Sequence, residues 1–263
     1  MKIIGVIPAR LGSTRLPRKV LREIGGKILV EQVYSRARES RELNELWVAT
    51  DSKEVLEACA KRKIPALMTS ASHLSGTDRL YEVMTQKPAD IYVNIQGDEP
   101  LVRPEHLEAL LQPFTSPKKV RVSTLKTKIS TQAASNPNVV KVVTDREGWA
   151  LYFSRSAIPF DRDAALGTRR AEPVSMDKHL GFYAYTQEAL EKFHRLPPSF
   201  LEQRERLEQL RLLENRIPIF VAETPFDSIG VDTEEDLERA EALLAKAQNS
   251  PKTFRAKTSI HHP

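Results

Sequence analysis

The chain has 263 residues, 40% of them hydrophobic and 29% charged, a composition ordinary for a soluble globular protein and long enough to bury roughly three quarters of its unfolded surface. The single cysteine, Cys59, excludes an internal disulfide, and no apolar run approaches the length of a membrane span. Of the net charge of +5, +4 sits on Lys246, Lys252, Arg255 and Lys257 within residues 246–263, which carry no acid, leaving +1 for residues 1–245; a body this neutral, with no basic stripe interleaved with aromatics, argues against nucleic acid as a partner.

Residues 3–7 are a continuous apolar run, as in a strand buried on both faces. The run is too short for a signal peptide and is broken by Pro8 and Arg10, so the chain reads as cytoplasmic. Helical spacing of Leu29, Val33 and Ala37 predicts a helix over 28–39, and residues 46–50 a second strand ending at Asp51. A helix over 53–63 holds Cys59 in its core face, and residues 91–95 form another buried strand, followed by a turn and a helix from about Pro104. Further strands are expected at 121–126, 139–144, 180–184 and 217–222, and helices at 202–213 and 235–246. Strands alternating with helices predict an α/β fold with a mostly parallel, Rossmann-like sheet. Alternation weakens between about 120 and 215, which predicts an inserted smaller lobe with antiparallel strands. The irregular loop at 161–177 is expected to cover a site. The reading is one domain over 1–245 and a disordered basic tail over 246–263, where apolar residues are scarce.

In an open parallel sheet, ligands bind beyond the C-terminal ends of the strands. After the first strand, Arg10, Arg15, Arg18, Lys19 and Arg22 all precede the first acid, Glu23, with Gly12, Ser13 and Thr14 among them. Cations, hydroxyls and accessible backbone N–H groups there suit a triphosphate; a solvated basic loop is the alternative. It is not a Walker loop, because Gly-x4-Gly-Lys-[Ser/Thr] is absent. After residues 91–95 comes Gln96-Gly97-Asp98-Glu99-Pro100. Asp98 there could hold a Mg2+ bridging phosphates, or could belong to a plain turn. Near the C-terminus, Thr233 and Asp236 have capping-box-like spacing that starts the last helix and leaves Asp232 free to join Asp98.

Eight ordered motifs then resemble one family. They are Ile7-Pro-Ala-Arg-x2-Ser-Thr-Arg-Leu-Pro-x-Lys19, His73-x-Ser-Gly-Thr-Asp-Arg79, Asn94-x-Gln-Gly-Asp-Glu-Pro100, Asn136-Pro-Asn-x-Val-Lys-Val-Val143, Ala150-Leu-Tyr-Phe-Ser-Arg-Ser-x-Ile-Pro159, Lys178-His-Leu-Gly181, Leu207-Glu-Gln-Leu-Arg211 and Gly230-Val-Asp-Thr233. Together they resemble the 3-deoxy-manno-octulosonate (Kdo) cytidylyltransferases, the CMP-Kdo synthetases, over residues 2–243. The resemblance implies a sugar-nucleotide transferase fold, a homodimer, and the reaction CTP + Kdo → CMP-Kdo + pyrophosphate for lipopolysaccharide biosynthesis. It implies Mg2+ on Asp98 and Asp232, with Lys19 as a third catalytic group. Ala9, Arg10, Ser13, Arg15, Lys19, Ser75, Gly76 and Arg79 would surround CTP, and Gln96, Arg155, His179, Tyr183, Glu208 and Gln209 the sugar. Arg155 follows the apolar stretch 151–154 and is expected to read the sugar carboxylate through a guanidinium fork. A related acidic sugar, such as an 8-amino analogue or a sialic acid, and a non-catalytic nucleotide-sensing module are the alternatives. One departure stands out: where the family commonly has Pro-Gly-Lys-Pro, this chain has Pro17-Arg18-Lys19-Val20. Arg18 implies either an ordinary backbone there or accepted strain, and either a phosphate contact or solvent.

Overall fold

The computed structural model describes residues 1–249 apart from 14, 74 and 167–174. In chain order the elements are β1 (Ile3–Pro8), β2 (Glu23–Ile24), β3 (Lys27–Ile28), α1 (Leu29–Ala37), β4 (Glu45–Thr50), α2 (Lys53–Lys61), β5 (Ala66–Met68), α3 (Gly76–Gln86), β6 (Ile91–Asn94) and α4 (Pro104–Leu111). There follow β7 (Val122–Ile129), α5 (Thr131–Ala134), β8 (Lys141–Thr144), β9 (Ala150–Ser154), α6 (Arg162–Ala165), β10 (Met176–Thr186), α7 (Gln187–Arg195), α8 (Phe200–Glu205), α9 (Leu210–Glu214), β11 (Phe220–Glu223) and α10 (Glu234–Asn249).

The main sheet runs β11-β7-β10-β6-β1-β4-β5. β1 pairs in parallel with both β4 and β6, β4 with β5, and β11 with β7, while β10 is antiparallel to β6 and β7. Six of these seven strands therefore point one way and β10 alone runs against them, which matches the mostly parallel sheet expected. β8 and β9 form an antiparallel pair attached through β8 to β10. The strands of the parallel half are short and apolar because helices cover both faces. One face packs α1, α2 and α4 around Ile7, Val48, Val93 and Leu107. The other packs α3 and α7 around Val6, Leu80, Tyr92 and Phe193. Cys59 is fully buried in the first cluster, as its helical spacing predicts.

Local chemistry sets the boundaries. α2 begins at Ser52, whose hydroxyl accepts from the Val55 N–H, and α3 at Ser75, which accepts from Asp78 N–H. The helix expected over 202–213 is in fact two. Arg206 takes a left-handed conformation (φ 55°), and its N–H closes on the Glu202 carbonyl, so α8 ends and α9 starts only at Leu210. Glu208 and Gln209 thus lie in a turn, not on a helix face. α10 runs to Asn249, so residues 246–249 belong to a helix and not to the expected tail; the remainder of that tail, 250–263, lies outside the described residues, as does 167–174 of the expected covering loop.

Candidate active site

A cleft of about 250 Å3 opens at the C-terminal ends of β1 and β6. Four segments form it: the loop after β1, the start of α3, the turn after β6, and the approach to α10. A larger crevice of about 360 Å3 lies at the N-terminal end of β4, lined by Tyr34, Asn44 and Trp47 with only Arg38 and Glu45 charged. It lacks the converging charges of the first, so the chemistry is placed in the smaller cleft.

The cleft brings together nearly the whole set expected for nucleotide and metal. Arg10, Ser13, Arg15, Lys19, Ser75, Gly76, Arg79, Asp98 and Asp232 all line it. Ala9 lies fully buried behind them, its N–H bonded to the Ala49 carbonyl, so it fixes the path of the loop. The turn after β6 sits directly against the end of β1. A Cβ on Gly97 would lie 2.4 Å from the Pro8 carbonyl oxygen, so only glycine lets the backbone come this close. Arg79 is buried, and its guanidinium donates to Asp51 at 2.8 Å, beyond the end of β4.

Asp98 and Asp232 converge on one point. The Lys19 ammonium donates to Asp98 Oδ2 at 2.6 Å and to Asp232 Oδ1 at 2.8 Å, and Arg15 donates to Asp232 Oδ2 at 2.9 Å. The Val231 N–H donates to the Asp98 carbonyl at 2.8 Å, which ties the two carboxylate-bearing loops by their backbones. Thr233 and Asp236 cap α10 with reciprocal hydrogen bonds, as their spacing predicts, leaving the Asp232 carboxylate for the cleft. Burial opposes the Lys19 charge, but the two carboxylates outweigh it and raise the ammonium's pKa. Burial likewise disfavours the Asp232 carboxylate, yet Lys19 and Arg15 hold it below the usual range. No group of three or more His, Cys, Asp or Glu side chains forms a metal cage among the described residues. Two carboxylates beside a phosphate loop fit Mg2+, which takes one or two protein carboxylates and completes its shell with phosphates and water.

Two of the five loop cations point elsewhere. Arg18 pairs with Glu54 and Arg22 with Glu234. Arg18 adopts φ 57°, so the chain accepts a left-handed backbone at a non-glycine residue, where the family resemblance implies glycine.

Of the sugar set, Gln96 lines the cleft and donates to the Gly181 carbonyl at 3.0 Å. His179, Tyr183 and Gln209 are buried and Glu208 is half-buried; the His179 and Tyr183 rings lie 5.4 Å apart, with the Glu208 carboxylate near the Tyr183 phenol. Thr77 donates to Glu208 Oε1 at 2.6 Å, directly behind Gly76 of the cleft wall. Burial raises the Glu208 pKa and pushes that of the Tyr183 phenol well up. Burial beside Lys178 drives the His179 imidazole down to about 3, so it is neutral, within 2.9 Å of the Thr124 hydroxyl. Among the described residues the Tyr183 hydroxyl, Glu208 Oε2 and Gln209 Nε2 meet no well-formed hydrogen-bond partner, the condition in which a ligand hydroxyl or water supplies one.

Arg155 lies outside the lining of this cleft, as do His179, Tyr183, Glu208 and Gln209. Its guanidinium donates to the carbonyls of Glu205 (2.7 Å), Pro137 (3.1 Å) and Arg206 (3.4 Å). Its backbone N–H donates to the Glu205 carboxylate, and its carbonyl accepts from the buried Lys141 ammonium. Arg155 therefore pins the end of β9 to the turn that carries Glu208. Two neighbours of the site were missed from sequence. His73 lines the cleft, paired with Glu82; it opens a quoted motif, but it lies in the loop before α3 and its partner within α3. Asn94 is fully buried with neither amide atom paired, opposite Tyr183 in the sheet; it too opens a motif, the one that holds Gln96 and Asp98.

Comparison with known proteins agrees with this geometry. The cytidylyltransferase family profile matches residues 4–221. A 3-deoxy-manno-octulosonate cytidylyltransferase from Acidobacterium capsulatum is 55% identical over 93% of this chain and 97% of its own length. One from Koribacter versatilis is 53% identical over 93% and 90%. A solved structure of CMP:2-keto-3-deoxy-manno-octonic acid synthetase complexed with CTP is 44% identical and superposes with a TM-score of 0.87, covering 94% of this chain and all of its own. The cleft and the likeness over nearly the whole chain lead to one conclusion: the chain belongs to the cytidylyltransferase family, among the 3-deoxy-manno-octulosonate cytidylyltransferases.

Proposed function

We propose that this chain transfers CMP from CTP to the anomeric hydroxyl of Kdo, releasing pyrophosphate. The observation that carries the reading is the convergence of Asp98, Asp232 and Lys19 beside a cationic loop at the strand ends. The sugar hydroxyl attacks the α-phosphorus in line, and pyrophosphate leaves. Positioning and charge neutralisation are the protein's main contributions to such a transfer. Arg10, Arg15 and Lys19 neutralise the triphosphate and the departing pyrophosphate. The close seat of Gly97 against Pro8 holds the turn that carries Asp98 to the end of β1, beside the cationic loop, which supports this reading. Mg2+ held by Asp98 and Asp232 would supply further charge neutralisation and lower the pKa of the attacking hydroxyl. The layer of His179, Tyr183, Glu208 and Gln209, with Gln96 at its edge, offers donors and acceptors to the sugar's hydroxyls.

The chain works as a homodimer in this reading. Four of the seven large apolar side chains exposed among the described residues, Leu151, Phe160, Leu166 and Phe200, fall in the inserted lobe, where β8 is the one described strand that β9 pairs with. Among the described residues no helix is long and apolar enough to cross a membrane; the cytoplasm is the proposed location because it supplies CTP. The test is pyrophosphate release and CMP-Kdo formation from CTP, Mg2+ and Kdo, run beside the 8-amino analogue and a sialic acid. Turnover with a sialic acid but with neither Kdo nor its amino analogue would overturn the substrate. No pyrophosphate with any of them would leave a nucleotide-sensing module.

A further inference from the structure

We infer that Lys19 is an internal competitor of the metal: before nucleotide arrives, its ammonium holds Asp98 and Asp232 together and keeps a divalent cation out, and the triphosphate admits the metal by drawing Lys19 away. This rests on the cytidylyltransferase reading of the cleft and concerns the order in which its ligands enter.

Lys19 is the one described cation that touches both carboxylates, at 2.6 Å and 2.8 Å; Arg15 reaches only the outer oxygen of Asp232. The two differ in setting. The Lys19 side chain is 12% exposed and that of Arg15 62%, so solvent screens the second pair far more than the first. The carboxylates cannot separate easily, because the Val231–Asp98 backbone hydrogen bond ties their loops. Two carboxylates held this close repel one another, and a cation between them offsets that repulsion. An ammonium and a divalent ion would compete for the same two oxygens.

The lysine is also built to leave. Its backbone is anchored in a short 3-10 turn, Lys19–Leu21, with Arg18 before it tied to Glu54. Its flexible four-carbon stem can reach a new anion without moving that anchor. Arg10 and Ser13 line the same cleft, so a triphosphate seated on them would bring oxygens to which the ammonium can transfer. Metal and nucleotide would then bind with a positive coupling that runs through Lys19, beyond the affinity of the nucleotide itself for the metal.

The experiment titrates Mn2+, whose free ion is read by electron paramagnetic resonance, into the whole protein without nucleotide. Lys19→Met keeps the length and removes the charge; it should bind Mn2+ about tenfold or more tightly than the parent, from loss of a partly buried competing charge. Lys19→Arg keeps a cation and should stay near the parent. Unchanged or weaker Mn2+ binding in Lys19→Met overturns the inference. If that variant does not fold, the parent answers alone. Saturating Mn2+ should raise severalfold the rate at which an amine-directed reagent modifies Lys19, read by peptide mass spectrometry with the other lysines as controls; an unchanged rate overturns it. None of these readouts needs turnover, so a parent that releases no pyrophosphate from CTP and Kdo would refute the function separately.

Discussion

Replacing Arg155 with lysine separates a structural clamp from a substrate contact. The guanidinium bridges carbonyls at 137, 205 and 206, with the two best contacts at 2.7 Å and 3.1 Å. A lysine ammonium keeps the charge but cannot span carbonyls from both segments, so at least one contact is lost and its carbonyl left poorly paired. A hydrogen bond to a charged group contributes about 1.5–3 kcal/mol, less where water reaches it, and two of the three contacts are exposed. The loss should be about 1–3 kcal/mol. For a chain of this size each kcal/mol lowers Tm by about 2–4 °C, so Arg155→Lys should melt roughly 2–12 °C lower. The KM for CTP should hold, and that for the sugar should rise only modestly through a looser Glu208 turn. The decisive assay adds a sugar whose carboxylate is reduced to an alcohol. If Arg155 does not touch the carboxylate, the effects of mutation and substrate change add. An unchanged Tm with a ten- to hundredfold rise in sugar KM, and effects that do not add, would show that Arg155 reads the carboxylate after all.

Asp98→Asn and Asp232→Asn should each keep the fold and lower turnover about a thousandfold, roughly 4 kcal/mol of transition-state stabilisation; near-normal rates at low Mg2+ would remove that residue from the metal site. Gly97→Ala forces a Cβ to within 2.4 Å of the Pro8 carbonyl, so the turn must shift and carry Asp98 with it; turnover should fall about tenfold or more and stability by about 1–3 kcal/mol, and parental values for both would refute the contact. His179 is held neutral with its pKa down to about 3, whereas the unfolded imidazole titrates near 6.5. The unfolded chain therefore binds the proton first, and stability present above about pH 6.5 is lost as pH falls toward 3. His179→Gln should lose less stability than the parent between pH 6.5 and 4, measured by denaturant melts, and equal losses would contradict the assignment.

The nucleotide half of the cleft was legible because strand ends advertise themselves. The apolar run of residues 3–7 and the run 91–95 mark buried strands, and in a parallel sheet the segments just past the ends of such strands face the ligand. Reading those segments recovers Arg10, Arg15, Lys19 and Asp98, and the capping of α10 by Thr233 and Asp236 frees Asp232. α3 does not show in the sequence because its apolar stripe is only Leu80, Val83 and Met84; Thr77 and Arg79, its other buried residues, are polar. The break after Glu205 was equally silent, since nothing in a polar helical stretch announces that Arg206 will turn left-handed.

Arg155 marks a deeper limit. Its acceptors are backbone carbonyls at 137, 205 and 206, and every residue carries such a carbonyl, so no pattern of side chains can report which ones it will meet. The same holds for the buried Lys141, whose ammonium donates to the carbonyls of Asn136, Val139 and Arg155. Side-chain pairs of opposite charge are readable from sequence when the fold brings predictable strand ends together, as with Lys19, Asp98 and Asp232. A cation bound to main chain is readable only once the path of the chain is known. The two kinds of contact divide the labour in this lobe: Lys141 and Arg155 fasten the segments around 137, 155 and 205, and the turn that follows carries Glu208 and Gln209, whose Oε2 and Nε2 atoms are buried without a well-formed partner among the described residues. Loosening the clamp should therefore relax those groups toward water, so its first cost falls on the sugar side of the cleft and not on the nucleotide.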